Sequence, residues 1–358
     1  MSNAEINTSI LPERTEPALN HTVLTGPEFL KDFSIEVQRA EKRVWGQAMA
    51  IYPSQSLFLD AIRAANEKGL DTRLNVDWFT LLVSEGGINA LIGPKKIIGK
   101  GSQHESLREY DRVAYRSLKD SGVMLHFTNP PTLREKVFPY TGRNHIKIYI
   151  VDSVGYIGGI NIQDDSIRGI DFVVKITDPR IVDVLAEEFE FGSDEKKDDE
   201  VLFTDGSILI DGGKPGESTI LEAAQHMVDL AQKKVRNISF FTPDGPFLKS
   251  LKKAHDRGVD VEILKPSETS GIYVLLDLFN KINMNIKGRK VPFRETQDSV
   301  HAKLLIVDDE TVLFGSHNLM ASGVNAGTQE IAFFSSNPIL VGNLINFYNK
   351  ARNGEFRK

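Results

Sequence analysis

The spacing His-x-Lys-x4-Asp occurs twice in the chain, once in each half. The two copies are His145, Lys147 and Asp152, and His301, Lys303 and Asp308. A histidine and a lysine two positions apart face the same side of an extended chain. Side by side they suit a phosphoryl group, because the ammonium neutralises the oxyanion while the imidazole attacks phosphorus or transfers a proton. The repeated spacing therefore predicts one phosphate site that uses both copies.

Each copy runs on into a glycine turn and an asparagine. The amides of Asn161 and Asn318 can donate to phosphoryl oxygens, and so can the hydroxyl of Ser316, which follows the second turn glycine. We therefore predict that these side chains lie beside the substrate. The candidate substrate-binding residues are completed by Gly159, which stands in the position equivalent to Ser316, and by Arg143, just before the first motif.

A histidine that reacts through one ring nitrogen needs an acceptor on the other nitrogen, which fixes its tautomer and orientation. Asp171 lies downstream of His145, and Glu330 lies downstream of His301. Each carboxylate stands beside an apolar, strand-like segment. We therefore predict that Asp171 and Glu330 orient the histidines.

The motif aspartates, Asp152 and Asp308, stand at the ends of predicted strands. We predict a structural role for them, in which the carboxylate accepts hydrogen bonds from backbone amides at the turn. No set of histidine, cysteine and acidic residues has the spacing of metal ligands, and the motif lysines supply the positive charge. We therefore predict neither a metal ion nor another cofactor.

The elements around the two motifs repeat. Segments 61–71 and 251–260 both show a helical pattern that ends at a glycine, and a strand follows each one. A further strand and an amphipathic helix precede each segment, and in the second half we expect the helix over 218–236 and the strand over 237–242. This order predicts an α/β fold of two halves related by a pseudo-twofold axis, each a mixed sheet flanked by helices. A single His-x-Lys is usually an exposed polar pair, so the duplication is what favours catalysis.

The charged stretch 192–200 divides the chain. We predict a flexible leader over residues 1–20, a first half over 21–191, a linker over 192–200 and a second half over 201–358. The first half carries an insertion between Trp78 and Phe138. A loop of this kind on a rigid scaffold commonly shapes substrate access.

The composition is that of a soluble globular protein. Its net charge of −6 gives no general attraction to nucleic acid or to anionic membranes, so any such binding must use local basic patches. The lack of cysteine excludes disulfides and fits a reducing compartment. No apolar run is long enough to span a bilayer. We predict a cytoplasmic protein that contacts the inner face of the membrane peripherally.

Basic and aromatic residues are interleaved before each motif, and we call these two groups the basic collars. Their members are Arg134, Lys136, Phe138, Tyr140 and Arg143 in the first collar, and Lys287, Arg289, Lys290, Phe293 and Arg294 in the second. Such collars suit anionic lipid head groups or the backbone of single-stranded nucleic acid, while solvated loops are the plain alternative. The acidic remainder of the chain favours anionic phospholipid, with nucleic acid as the alternative.

The paired motif resembles that of the phospholipase D superfamily, and the likeness extends over most of the chain. Within the superfamily, Arg143-Asn144-His145-Ile146-Lys147 and Gly158-Gly159-Ile160-Asn161-Ile162 are similar to the first motif of bacterial cardiolipin synthases. Those enzymes typically read Arg-Asn-His-Arg-Lys and Gly-Gly-Ile-Asn-Ile. The chain departs from them at Ile146, where an arginine is usual, and in lacking the transmembrane helices that many of them have.

This resemblance implies a two-step displacement at a phosphodiester through a phosphohistidine. In the usual family order His145 is the nucleophile and His301 the general acid, and an acidic residue downstream of each motif orients a histidine. With an alcohol as acceptor the enzyme is a phosphatidyltransferase of the cardiolipin synthase type. With water it is a phospholipase D-type hydrolase or a nuclease, and the residues leave the acceptor open.

Overall fold

The structure is a computed structural model that describes residues 21–52, 55–81, 113–130, 141–191, 198–267 and 291–356. These residues form two α/β halves, as predicted. The predicted leader, most of the insertion in the first half and most of both basic collars lie outside the described residues.

The first half is built on a mixed sheet of seven strands in the order β1-β7-β6-β5-β2-β3-β4. Strands β2, β3 and β4 are parallel, and the other neighbours are antiparallel. The strands are β1 His21–Thr25, β2 Arg43–Ala48, β3 Asp71–Asp77, β4 Met124–Thr128, β5 Ile148–Val151, β6 Val154–Gly158 and β7 Phe172–Ile176. The helices are α1 Gly26–Arg39, α2 Ser56–Glu67, α3 113–120, α4 Asp164–Arg168 and α5 Pro179–Phe191, with a 3₁₀ turn at Trp78–Leu81.

The second half is built on a sheet of eight strands in the order β12-β11-β10-β13-β14-β15-β9-β8. Its strands are β8 Asp199–Phe203, β9 Gly206–Asp211, β10 Lys234–Ile238, β11 Asp260–Pro266, β12 Phe293–Thr296, β13 Leu304–Val307, β14 Thr311–Gly315 and β15 Glu330–Ser335. Its helices are α6 Thr219–Leu230, α7 Gly245–Asp256, α8 Ala321–Ala326 and α9 Pro338–Arg352. Strand β8 begins within the predicted linker.

The two strand orders match when the second is read backwards. Strand β5 then corresponds to β13, β2 to β10 and β3 to β11, with the same parallel and antiparallel pairing. Strand β8 has no counterpart among the described strands. The correspondence places the two motif strands at equivalent central positions, as the pseudo-twofold arrangement requires.

The halves meet through a shared apolar core. Alternate residues of the motif strands enter it, namely Ile148 and Ile150 from β5 and Leu304 and Ile306 from β13. The residues between them face away and pack under the helices of their own half. Each motif strand is therefore buried on both faces, which explains its nearly continuous apolar sequence.

Some predicted boundaries were wrong. The first helix of the second half ends at Leu230 instead of near Arg236, and the next strand spans Lys234–Ile238 instead of 237–242. The motif strands begin at Ile148 and Leu304, so the histidine and lysine of each motif precede the strand instead of lying in it. The predicted glycine helix ends are confirmed, because Gly69 and Gly258 both have a positive φ after their helices.

The motif aspartates bind the segment that leads into the neighbouring strand. The Asp152 carboxylate accepts hydrogen bonds from the amides of Glu41, Lys42 and Arg43 at 2.8–3.0 Å. In the second half, the Asp308 carboxylate accepts from the amides of Gln232, Lys233 and Lys234 at 2.7–2.8 Å. Backbone amides are the predicted partners, but they belong to the entry of β2 and β10 and not to the turn of the aspartate itself.

Substituting Asp152 with Asn should lower the free energy of unfolding by about 1 kcal/mol at neutral pH, because the amide cannot accept all three backbone hydrogen bonds. Asparagine tolerates the left-handed conformation of this residue, whose φ is 49°. Although partial burial acts to raise it, the three amides hold the pKa of Asp152 below its ordinary value. The stabilisation is therefore complete above the unfolded-state pKa, near 3.9, and is lost as pH falls through the lower folded-state value.

Urea unfolding of Asp152→Asn at pH 7 and at pH 3 measures this effect. The difference from the parent protein should shrink in acid. Asp309→Asn is the matched control, because Asp309 also has a positive φ but its carboxylate contacts the Arg236 side chain. A loss of stability for Asp152→Asn that is as large at pH 3 as at pH 7 would contradict the carboxylate's role.

Candidate active site

The two motif histidines are held by backbone pairing between the halves. The His145 amide donates to the Gln329 carbonyl at 2.9 Å, next to Glu330 in the second half. In the equivalent place, the His301 amide donates to the Ile170 carbonyl at 3.0 Å, next to Asp171 in the first half. Each histidine thus lies beside the carboxylate of the other half.

The side chains follow the same crossed pattern. His145 Nδ1 lies 3.0 Å from Glu330 Oε2, and His301 Nδ1 lies 2.6 Å from Asp171 Oδ2. Asp171 and Glu330 therefore contact the histidines, as the sequence predicted. The sequence order did not indicate an exchange of partners between the halves. The carboxylate that follows each motif contacts the histidine of the other half and not the histidine of its own motif. The exchange places both motifs in one site.

The two carboxylates differ in what surrounds them. The Ser316 hydroxyl donates to Glu330 Oε2 at 2.5 Å. In the equivalent position, a Cβ on Gly159 would lie 2.3 Å from Asp171 Oδ1, so only glycine leaves room for the shorter carboxylate. Ser316 and Gly159 thus each adjoin a carboxylate that contacts a motif histidine, and their contact with a substrate stays a prediction.

His301 has two further neighbours, Ser166 and Phe240, that the motif did not indicate. The Ser166 hydroxyl, on α4, lies 3.1 Å from His301 Nδ1 and is fully buried. The ring of Phe240, which follows β10, lies edge-on to the His301 ring with centroids 6.1 Å apart. A serine five residues beyond Asn161 and an aromatic residue beyond a strand carry no distinctive sequence signal, so only the fold shows these contacts.

The motif lysines are buried beside their histidines. Lys147 Nζ donates to the His145 carbonyl, and Lys303 Nζ donates to the His301 carbonyl, both at 2.5 Å. Lys303 Nζ also lies 3.1 Å from His301 Nε2. Both ammonium groups are thus fixed at the motif histidines.

Burial is the largest influence on the pKa values of the motif histidines and lysines. Burial and the neighbouring lysine charges lower the pKa of His145 and of His301 to about 4, although the facing carboxylates oppose this. Burial lowers the pKa of Lys147 to about 7, with a further contribution from Lys303, and lowers that of Lys303 to about 8. At neutral pH each imidazole is therefore uncharged, with an Nδ1–H that donates to the carboxylate of the other half and a lone pair on Nε2.

Glu330 remains ionised in spite of its surroundings. Burial acts to raise its pKa, but His145, His317 and Lys147 bring it down to about 2. An ionised carboxylate next to an uncharged imidazole is the arrangement that makes Nε2 more basic and fixes the ring. The site thus contains two imidazoles, each with a carboxylate at Nδ1, and two lysine amino groups, of which Lys147 is only partly charged at neutral pH.

The remaining predicted residues lie in different settings. Asn161 is buried, and its side-chain oxygen Oδ1 accepts a hydrogen bond from the Ala50 amide at 3.4 Å. The side-chain oxygen Oδ1 of Asn318 is buried without a hydrogen-bond partner among the described residues. Arg143 is 2% exposed, and its Nη1 pairs with Asp77 at 3.1 Å, while its Nη2 is buried without a hydrogen-bond partner among the described residues. The contacts of Arg143 therefore differ from the predicted ones.

The described residues include neither a metal-ligand cluster nor a membrane-spanning helix. They contain no group of three or more histidine, cysteine or acidic residues placed to hold a metal ion. None of their helices combines the length and apolar character needed to cross a bilayer.

Comparison with protein families identifies the fold's relatives. The family model described as "Cardiolipin synthase, PLD-like domain" matches residues 34–191 and 225–351, which include both motifs. The chain belongs to this family. The phospholipase D-like membership predicted from the two motifs is thereby confirmed, together with the two-half α/β fold.

Cardiolipin synthases are also found among similar curated proteins. The chain is 29% identical over 248 residues to a cardiolipin synthase of Staphylococcus aureus (strain Mu50 / ATCC 700699), which covers 59% of this chain and 49% of that protein. It is 28% identical over 261 residues to cardiolipin synthase A of Pseudomonas putida (strain W619), with coverages of 62% and 54%. The phospholipase D-like chain thus spans about half the length of the curated relatives it matches.

Solved structures share the fold at low sequence identity. Phosphatidylserine synthase of Haemophilus influenzae Rd KW20 has a TM-score of 0.67 and 15% identity, covering 93% of this chain and 86% of that one. Polyphosphate kinase of Porphyromonas gingivalis has a TM-score of 0.58 and 11% identity, covering 93% and 50%. The two-half phospholipase D-like architecture is therefore common to proteins whose names describe different reactions.

Proposed function

We propose that the protein is a phosphatidyltransferase of the cardiolipin synthase type, acting on phosphodiester bonds of anionic phospholipids through a phosphohistidine. The crossed pairs carry this proposal, because they orient two imidazoles and surround them with two lysines in one site. The lipid substrate is supported by the cardiolipin synthases among its relatives.

In the first step His145 Nε2 attacks phosphorus, and the bond from phosphorus to the leaving alcohol breaks. His301 donates a proton to the departing oxygen, so the alcohol leaves neutral and His145 carries the phosphatidyl group. Glu330 stabilises the positive charge that develops on the His145 ring. Lys147 and Lys303 neutralise the phosphoryl oxygens, and Asn161 and Asn318 supply amide hydrogens to them.

The general-acid role requires a protonated His301. Burial, together with the charge of Lys303, holds its pKa at about 4. A phosphodiester anion adds a negative charge next to the ring, which favours the imidazolium and also the charged forms of both lysines. Binding of the substrate thus prepares the proton that the first step consumes.

In the second step an acceptor alcohol attacks the phosphohistidine. His301, now neutral, takes the proton of this alcohol, the bond from phosphorus to nitrogen breaks, and His145 is regenerated. Phosphatidylglycerol as both donor and acceptor gives diphosphatidylglycerol and glycerol. Water as the acceptor gives phosphatidic acid, so exclusion of water decides the outcome.

We also propose peripheral contact with anionic membranes at the cytoplasmic face, through the basic collars. Of their members, Phe293, Arg294 and Arg143 lie within the described residues, and Arg143 is buried there. Each basic residue near an anionic surface contributes about 1 kcal/mol, so a few of them suffice for reversible binding despite the net negative charge. Binding of this kind weakens with salt, because the Debye length falls from about 10 Å at 0.1 M to about 3 Å at 1 M.

The test offers the purified protein phosphatidylglycerol vesicles and labelled single-stranded DNA in parallel, both with a chelator. We expect diphosphatidylglycerol and glycerol from the vesicles, intact DNA, and vesicle binding that falls with salt. Phosphatidic acid without diphosphatidylglycerol would replace the transferase with a phospholipase D-type hydrolase. Cleavage of DNA without lipid turnover would replace it with a nuclease.

A further inference from the structure

We propose that Asp77, Asn129 and Arg143 are positioning residues that, with Gln329, hold His145 against Glu330. We call these four residues the Asp77 cluster. The inference concerns the same site as the proposed function and rests on that function for its kinetic readouts.

Asp77 is the centre of the cluster, at the end of β3. Its side chain is fully buried, and Arg143 Nη1 donates to its Oδ1 at 3.1 Å. The Phe79 amide donates to the same oxygen at 2.8 Å. The other oxygen, Oδ2, accepts from the Asn144 amide at 2.6 Å and from Asn129 Nδ2 at 3.2 Å. Asp77 thereby fixes the two residues that precede His145.

The cluster also reaches the residue before Glu330. Asn129 Nδ2, besides contacting Asp77, lies 3.2 Å from Gln329 Oε1. The Gln329 amide donates to the Arg143 carbonyl at 2.8 Å, and the His145 amide donates to the Gln329 carbonyl. The chain segments that carry His145 and Glu330 are therefore bound to each other and to one buried carboxylate.

The residues at the equivalent positions in the second half carry no charge. There the backbone pairing is equivalent, since the Ile170 amide donates to the Ser299 carbonyl at 2.7 Å and the His301 amide donates to the Ile170 carbonyl. The side chains are different, because Ile170 and Val300 are fully buried members of the shared apolar core. The position equivalent to Asp77 is occupied by Pro266 on β11.

A buried ion pair is a poor source of stability compared with apolar packing of the same volume. Among the described residues, a buried ion pair supports the backbone beside His145 and none supports the backbone beside His301. This difference indicates a requirement for fixed orientation on the His145 side, which hydrogen bonds supply and apolar contacts do not. Misplacing a reacting group by about 1 Å can cost about 100-fold in rate. Both pairs are held by hydrogen bonds to the imidazole and to the backbone. The segment around His145 is supported in addition by the buried Asp77 carboxylate, whereas Ile170 and Val300 beside His301 are packed in the apolar core.

The charge of Asp77 also acts on the site. Burial and Lys303 lower the pKa of Lys147, whereas Glu330, Asp171 and Asp77 act to raise it. Removing the Asp77 charge should lower the pKa of Lys147 further. The alkaline limb of the kcat/KM profile should then move to lower pH, because loss of the lysine proton removes a cation from the site.

Two variants test the proposal. Asn129→Gly removes only the link between Asp77 and Gln329, and glycine retains the positive φ of 51° at this residue. We expect kcat to fall about 10-fold with KM unchanged, because positioning and not binding is affected. The double variant Asp77→Asn with Arg143→Gln removes both charges without leaving one buried alone. We expect a fall in kcat of about 100-fold. The alkaline limb should move only slightly, because loss of the Arg143 charge opposes the effect of losing the Asp77 charge.

The matched control is Asp32→Asn, which breaks a partly buried ion pair with Lys175 elsewhere in the first half. It should leave kcat and the pH profile unchanged. Thermal unfolding and circular dichroism establish that each variant is folded. If the double variant does not fold, Asn129→Gly and the control provide the comparison.

Nuclear magnetic resonance of protein labelled with ¹⁵N in histidine supplies a readout that is independent of activity. The Nδ1 proton signal of His145 should shift or broaden in both variants, while that of His301 remains unchanged. Unchanged signals and kinetics in folded variants would overturn the proposal, as would equal changes at both histidines. Failure of the parent protein to turn over lipid would refute the proposed function and leave this spectroscopic test intact.

Discussion

Replacing His145 with Ala should reduce kcat for phosphatidyl transfer by about 10⁴-fold or more, the largest effect we expect from any single change. His145 Nε2 is the proposed nucleophile, so its loss removes the bond to phosphorus on which the proposed first step depends. Replacing His301 should cost about 10²- to 10⁴-fold, the usual contribution of a general acid and base. Ser166 and Asp171 would be left without their partner, but the nucleophile would remain.

The measurement is a combination of steady-state turnover and trapping of the covalent intermediate. After a rapid quench, peptides should be mapped under alkaline conditions by mass spectrometry, and the phosphatidyl or phosphoryl group should lie on His145. His255→Ala is the matched control, because His255 is exposed on α7 and lies outside the site. Label found only on His301 would reverse the two roles. Full turnover by His145→Ala would remove the covalent mechanism.

The crossed pairing predicts the second large effect. Replacing each carboxylate should lower activity in the same way as replacing the histidine that it contacts in the other half. Glu330→Gln should behave like His145→Ala, and Asp171→Asn like His301→Ala, with losses of about 10²- to 10⁴-fold. The physical reason is that the amide no longer fixes the Nδ1 proton or the charge that develops on the ring. A pairing within each half would predict the opposite correspondence.

Leaving groups of different acidity separate the two classes. A phosphodiester with a p-nitrophenol leaving group needs little protonation, so it should restore the first step in His301→Ala and Asp171→Asn. The same substrate should not rescue His145→Ala or Glu330→Gln, because the nucleophile itself is impaired. Formation of the phosphoenzyme, followed as a burst of p-nitrophenol, measures this step. Rescue of Glu330→Gln but not of Asp171→Asn would show that the crossed contacts do not govern the chemistry.

Much of the architecture could be predicted from local sequence signals. The glycines at Gly69 and Gly258, the apolar motif strands and the repeated order of elements indicated two α/β halves, because helix ends and strand periodicity are short-range properties. Boundaries failed where polar residues continue a pattern. Between Leu230 and Lys234 the helix stops and a strand starts without a glycine or proline to mark the change.

The candidate site divides in the same way. The sequence by itself was enough to predict a phosphate site, since the types and spacing of His145, Lys147, His301 and Lys303 suit that group. It also led to the prediction that two carboxylates orient the histidines. It did not determine which carboxylate serves which histidine, because separation along the chain says nothing about the contacts made when two halves pack face to face.

Only the tertiary structure decided that exchange and the roles that follow from it. Arg143 looks like a substrate-binding residue in the sequence, because a basic residue next to a motif is usually solvated. The fold instead encloses it with Asp77, which lies far upstream at the end of β3. A buried guanidinium needs a carboxylate partner, because an unpaired charge inside a protein is strongly destabilising. The partner of a buried charge is determined by the whole packed structure, because packing decides which groups are removed from water together. The identity of the reactive groups can be read from a few residues of the sequence.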